Sequence, residues 1–154
     1  MSNVSSPSTT SKAVAKDFIA VVTQLMKNSS APMVVFAEQY DLSFTQLKLM
    51  FVLNNLGEAQ PIGHLAELTG STLPSMGRAV DGLVRHGLVT RTEDPLDRRV
   101  KRIEPTELGA KSMNAIYETR VNSLAEILDQ LPSDEVDAFA SALGPLKTEM
   151  EASG

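Results

Sequence analysis

The feature that most restricts how this 154-residue chain can fold is a pair of short helical stretches with almost nothing between them. After Pro61, the residues Ile62, Leu65, Ala66 and Leu68 recur at helical spacing and predict the buried face of a helix that Gly70 ends. Thr72 can cap the next helix, and Pro74 is tolerated in its first turn, where amides have no helical partners. Met76, Ala79, Val80, Leu83 and Val84 predict the inner face of that second helix. Two helices joined by so short a turn cross steeply and leave the outer flank of the second one exposed, a shape that suits a DNA major groove.

The segment after this helix pair narrows the fold further. Gly87 ends the second helix, and Leu88 to Thr92 reads as a short strand. Glu93 to Arg99 is a charged turn, Val100 to Glu104 can pair back as a second strand, and Pro105 ends the hairpin. Upstream, Val14, Phe18, Val21, Val22, Leu25 and Met26 give Lys12 to Asn28 one helical face, which Pro32 interrupts or restarts. A shorter piece through Met33 and Phe36 comes next, and a helix opening at Ser43, Phe44 or Thr45 runs to Leu56, with Gly57 as its stop. Downstream, Thr106 and Glu107 begin a long helix whose stripe is Tyr117, Val121, Leu124, Leu128 and Leu131. Pro132 breaks it, and Ser133 is expected to cap a last helix with Val136, Phe139, Leu143, Leu146 and Met150 along one side. This order predicts a mainly α (α+β) winged helix-turn-helix flanked by terminal helices. The boundaries expected are a disordered arm over 1–11, an N-terminal dimerisation region over 12–42, the winged domain over 43–107 and C-terminal dimerisation helices over 108–154.

Composition bears on partners. The net charge of −5 is unusual for a chain that meets nucleic acid, but Arg78 to Arg102 holds seven cations against four anions, so that segment is +3 and the remainder −8. With no cysteine there is no disulfide, thiolate metal site or thiol nucleophile, which fits a reducing cytoplasm. The Ser- and Thr-rich first residues have neither the basic start nor the apolar core of a secretory signal, and no apolar run is long enough to span a bilayer.

Several motifs are similar to those of a known family. Leu65-Ala66-Glu67-Leu68 through Arg85-His86-Gly87-Leu88-Val89 resembles the helix-turn-helix of MarR regulators. Asp94-Pro95-Leu96-Asp97-Arg98-Arg99 matches the family's wing, and Thr106-Glu107-Leu108-Gly109 its passage into the dimerisation helix. The resemblance covers roughly Val14 to Met150. It implies a cytoplasmic transcription factor, most often a repressor, that holds a near-palindromic operator on double-stranded DNA as a homodimer. It also implies release by a small aromatic or phenolic ligand bound between head and dimerisation helices. Leu73, Pro74 and Gly77 depart from the polar residues frequent in the family, which thins hydrogen bonding to bases.

Residues can be assigned on this basis. Thr72, Leu73, Pro74, Ser75, Gly77 and Arg78 are expected to face DNA, with Arg78 able to grip guanine or phosphate and Leu73 able to touch a thymine methyl. In the wing, Asp97 is expected to accept hydrogen bonds that hold the loop and orient the neighbouring arginines, with Arg98 at the tip entering a narrow minor groove, Arg99 nearer the hairpin base, and Asp94, Asp97 and Arg99 forming a scaffold for Arg98. The plainer alternative for Arg78 is an ion pair with Asp81 or Asp94. Phe18, Val22, Tyr117, Val121, Leu124, Leu128, Phe139, Leu143 and Leu146 leave more apolar helical surface than one small head can cover, so they are the dimerisation candidates. Met33, Phe36, Met50 and Leu53 are the effector candidates, with core packing as the alternative.

Other chemistry finds little support. His64 and His86 have no Cys, His or paired carboxylate at ligand spacing, so no metal or cofactor is expected. Ser133-Asp134-Glu135 has the composition of a helix start rather than an acid-base pair, and no phosphate loop or nucleophile elbow occurs. An enzyme is not expected. The competing reading is a winged-helix protein-interaction module without operator binding, for which the acidic total speaks.

Overall fold

The computed structural model describes residues 8–152. The elements run α1 (Thr9–Asn28), α2 (Ala31–Gln39), α3 (Phe44–Leu56), β1 (Gln60–Pro61), α4 (Ile62–Thr69), α5 (Leu73–Arg85), β2 (Val89–Glu93), β3 (Lys101–Pro105), α6 (Glu107–Leu128) and α7 (Ser133–Ala152). This is the winged helix-turn-helix architecture with helical flanks. The described residues form two compact units: 29–119, and 8–28 together with 120–152. That division puts α2 and the first part of α6 with the winged head, whereas the sequence boundaries fall at 42 and 107.

Helix ends follow local chemistry. Ser8 accepts from the Ser11 amide at 3.0 Å and starts α1 at Thr9, a turn earlier than the expected Lys12 and inside the stretch read as an arm. The rest of that arm lies outside the described residues. Ser43 caps α3 with a full capping box: its hydroxyl accepts from the Gln46 amide while the Gln46 side chain accepts from the Ser43 amide. The last helix differs from expectation, because Ser133 is its first helical residue and the amides of Glu135 and Val136 bond to the Pro132 carbonyl.

The head is built around one core. Leu49, Met50 and Leu53 of α3, Leu65 of α4, and Met76, Val80 and Leu83 of α5 are fully buried. Leu88, Val89 and Ile103 of the hairpin and Met113 and Ile116 of α6 complete it. Two residues of the predicted inner faces are not in it: Leu68 is 46% and Val84 40% exposed. Leu68's place is taken by Thr69, whose hydroxyl donates to the Leu65 carbonyl at 2.7 Å and so buries without an unmet polar group.

The sheet has three strands in the order β1-β3-β2, all antiparallel, where a two-stranded hairpin was expected. Gln60 and Pro61 pair with Ile103 and Arg102, so Pro61 closes a strand before α4 starts. In the hairpin Val89 faces Pro105 and Glu93 faces Lys101, each strand lying one residue later than predicted. Thr106 joins this hairpin to α6: its hydroxyl donates to the Gly87 carbonyl at 2.7 Å and accepts from the Gly109 amide at 3.0 Å. At Gly109 the helix lies so close to the Leu88 carbonyl that no Cβ fits.

Candidate nucleic-acid interface

The turn between α4 and α5 is tightly specified. Gly70 takes a left-handed conformation at φ 64°, a region that costs other L-residues energy. Its amide and that of Ser71 return to the carbonyls of Glu67 and Ala66, closing the end of α4. The Lys48 ammonium donates to the Thr69 carbonyl at 2.7 Å, placing a cation at the negative end of the same helix. Beyond Ser71 the Thr72 hydroxyl accepts from the Ser75 amide and opens α5, with Pro74 in the first turn.

α5 is sharply two-sided. Met76, Ala79, Val80 and Leu83 are buried, while Thr72, Leu73, Pro74 and Arg78 are exposed and Ser75 and Gly77 half-buried. Arg78 is not held by the carboxylates considered for it. Asp81 pairs with Arg91 at 2.5 Å and Asp94 with Arg102 at 2.5 Å. The Asp81–Arg91 pair also ties α5 to β2, and so joins the outer helix to the strand that leads into the wing.

The wing loop is organised by Asp94 rather than by Asp97. One Asp94 oxygen accepts from the amides of Leu96 at 2.8 Å and Asp97 at 3.2 Å, an Asx turn. The other meets Arg102, whose guanidinium also donates to the Ala59 carbonyl at 3.0 Å. The Arg102 hydrogen bond, followed by the Leu96 amide, holds the Asp94 carboxyl below its ordinary pKa. Asp97 accepts from the Arg99 amide at 3.0 Å, so it shapes the next turn and orients no guanidinium in the way expected of it. Arg98 has a side chain 90% exposed and reaches Glu93 only at 4.0 Å, a contact that solvent screens.

A polar cleft of about 220 Å³ lies beside Arg78, lined by Ser43, the cap of α3, by Thr45 and Gln46 of α3 and by Ser75, Arg78 and Ala79 of α5. Hydroxyls, an amide and a guanidinium are groups that donate to phosphate oxygens. The α3 contribution escaped sequence reasoning, which read Ser43 to Thr45 only as the start of a helix. The effector candidates Phe36, Met50 and Leu53 are buried in the core and Met33 packs against it, which is the packing alternative. Among the described residues, no cluster of three His, Asp or Glu side chains is placed to hold a metal, and no helix is long and apolar enough to cross a membrane.

In the second unit α1 and α7 contain no buried residue. Phe18, Phe139, Leu143 and Leu146 are each 36–44% exposed and, with Val14, Ile19 and Met150, line an apolar groove of about 650 Å³. On α6, Tyr117 and Val121 are exposed, and Leu124 and Leu128, like Val22 on α1, are half-buried.

A crossed helix pair, an outward-facing second helix and a three-stranded wing define a winged helix-turn-helix protein. The model of the MarR family matches residues 40–100. The HTH-type transcriptional regulator YfiV of Bacillus subtilis is 30% identical over 111 residues, 72% of this chain and 69% of that one. The chain therefore belongs to the MarR family of transcriptional regulators. Its fold is similar to that of RV1404 from Mycobacterium tuberculosis, with a TM-score of 0.72 at 24% identity, covering 94% of this chain and 96% of that one. It is also similar to a point mutant of S. aureus MepR bound to an oligodeoxyribonucleotide, with a TM-score of 0.62 at 19% identity over 89% and 97%.

Proposed function

We propose that this regulator binds a near-palindromic operator as a homodimer, with α5 in the major groove and the wing in the adjacent minor groove, and represses transcription from it in the cytoplasm. The observation that carries this reading is the exposure of Thr72, Leu73, Pro74 and Arg78 along one flank of α5 while the Asp81–Arg91 pair fastens that helix to the wing strand. Ser75 and Gly77 border the same flank. Arg98 and Arg99, both exposed, supply the wing's cations, and Asp97 shapes their turn. The oligonucleotide bound to the MepR mutant supports the same reading by analogy.

Dimerisation rests on the apolar surface of α1 and α7. Each aliphatic side chain removed from water contributes about 1.5–3 kcal/mol, so Phe18, Val22, Phe139, Leu143 and Leu146, with Tyr117, Val121, Leu124 and Leu128 on α6, favour pairing with a second copy. Release by a small aromatic or phenolic effector belongs to the same proposal. A ligand at Phe36, Met50 and Leu53 would have to open a filled core, with Met33 at its edge, so binding there is coupled to movement in the head.

The test is fluorescence anisotropy on duplexes recovered by the protein from a random-sequence pool, across a salt series. Affinity should fall steeply with salt, and Arg78→Ala and Arg98→Ala should each cost about 1–3 kcal/mol. Binding no stronger than to random duplex would refute the operator reading and favour the protein-interaction module, to which the −8 charge outside Arg78 to Arg102 is suited.

A further inference from the structure

Leu96 is 96% exposed, the most exposed large apolar side chain among the described residues. It stands on a loop that is anything but slack. The Asp94 carboxylate accepts from its amide and from that of Asp97, and Arg102 anchors the carboxylate while reaching back to the Ala59 carbonyl. Backbone bonds from Asp94 to the Val100 carbonyl at 3.0 Å and from Val100 to the Asp97 carbonyl at 2.9 Å close the loop at its base. Pro95 fixes the preceding backbone angle. The loop thus presents Leu96 at a fixed apex, and two residues on in the same loop Arg98 has a side chain 90% exposed.

An apolar apex with a cationic shoulder has a specific chemical complement. The minor groove of DNA has anionic phosphate rims and walls of deoxyribose C–H groups, and proteins that enter it set aliphatic side chains against those walls or between base steps. Resting on the operator reading above, we infer that Leu96 is a minor-groove contact in its own right, giving the wing an apolar hold alongside the charge of Arg98. Leu96 adds nothing to the folded head, because it touches no core, and it sets affinity only when the groove takes it out of water.

The measurement is binding of the full chain to a duplex that the wild type has recovered from a random-sequence pool, repeated over a salt series, for wild type, Leu96→Ala, Leu96→Met and Arg98→Ala. Leu96→Ala should bind about tenfold more weakly, the loss expected for part of an aliphatic side chain left wet. Its dependence of log affinity on log salt should keep the wild-type slope, because no ion is displaced, whereas Arg98→Ala should flatten that slope by about one unit. Leu96→Met should restore most of the binding, and thermal unfolding of the free proteins should be unchanged. Wild-type affinity for Leu96→Ala overturns the inference, as does a loss accompanied by the Arg98→Ala slope, which would make Leu96 only a support for the arginine. If the wild type recovers no duplex, the operator reading itself fails and this inference goes with it.

Discussion

Replacing Gly109 by alanine isolates the contact on which α6 is seated. A Cβ at this position would overlap the Leu88 carbonyl oxygen and come within 3.1 Å of both the Leu88 carbonyl carbon and the Met50 methyl. The Met50 methyl can rotate away, but the Leu88 carbonyl cannot: the residue is fully buried and its oxygen already accepts from the Thr106 amide at 3.0 Å. The helix must therefore back away from the hairpin. Overpacking of this kind costs about 1–3 kcal/mol, against which the better helix propensity of alanine returns up to about 1 kcal/mol. Because the overlap is with backbone, the cost lies at the upper end of that range, and the expected net loss is about 2 kcal/mol, or about 4–8 °C in Tm for a chain of this length. Gly77→Ala is the matched control, since it is also helical but a Cβ there meets nothing within 4 Å. It should be neutral or stabilising by up to about 1 kcal/mol. Urea unfolding followed by circular dichroism, at one protein concentration for all variants, reads the difference. A Gly109→Ala protein as stable as wild type would show that α6 is not seated as described.

Three further outcomes are expected. Ser43→Ala removes half of the α3 capping box and should lower stability by about 1 kcal/mol in the same urea assay. Asp94 has its pKa depressed in the folded state, so its contribution is complete above the ordinary carboxylate value and is lost as pH falls through the lower folded value. Asp94→Asn should therefore be less stable than wild type near neutrality, with the gap closing in acid; a gap that stays constant from pH 7 to pH 2 would contradict the Arg102 pairing. Paired substitutions Phe139→Asp and Leu143→Asp should convert a dimer into monomer by sedimentation velocity, and an unchanged sedimentation coefficient would remove α7 from the interface.

Much of the fold could be read locally because its boundaries are chemical. Ser43, Thr72, Gly57, Gly70 and Pro105 each act on their nearest neighbours, and the helices and hairpin they delimit lie within a few residues of expectation. Expectation failed where a partner lies far along the chain. β1 is only Gln60 and Pro61, too short for any periodicity, and exists because it pairs with Ile103 and Arg102. The roles of Asp94 and Asp97 are indistinguishable in a charged turn until Arg102 is known to reach Ala59, 43 residues away. Val84 and Leu68 show the limit of apolar spacing, which gives a face but not the edge at which burial stops. The outward residues of α5 were legible because Met76, Ala79, Val80 and Leu83 so clearly claim the other side. The neighbouring cleft, which needs α3 and α5 in contact, was not.

The Thr106 hydroxyl is shared by two elements that local sequence treats as separate. By donating to Gly87 and accepting from Gly109, it pins the residue just past the end of α5 to the first turn of α6 with a single atom. A twist applied to that first turn either carries Gly87 with it or breaks one of these two hydrogen bonds. Leverage on the outer helix thus passes through its trailing end, some four turns from Thr72 at about 3.6 residues per turn.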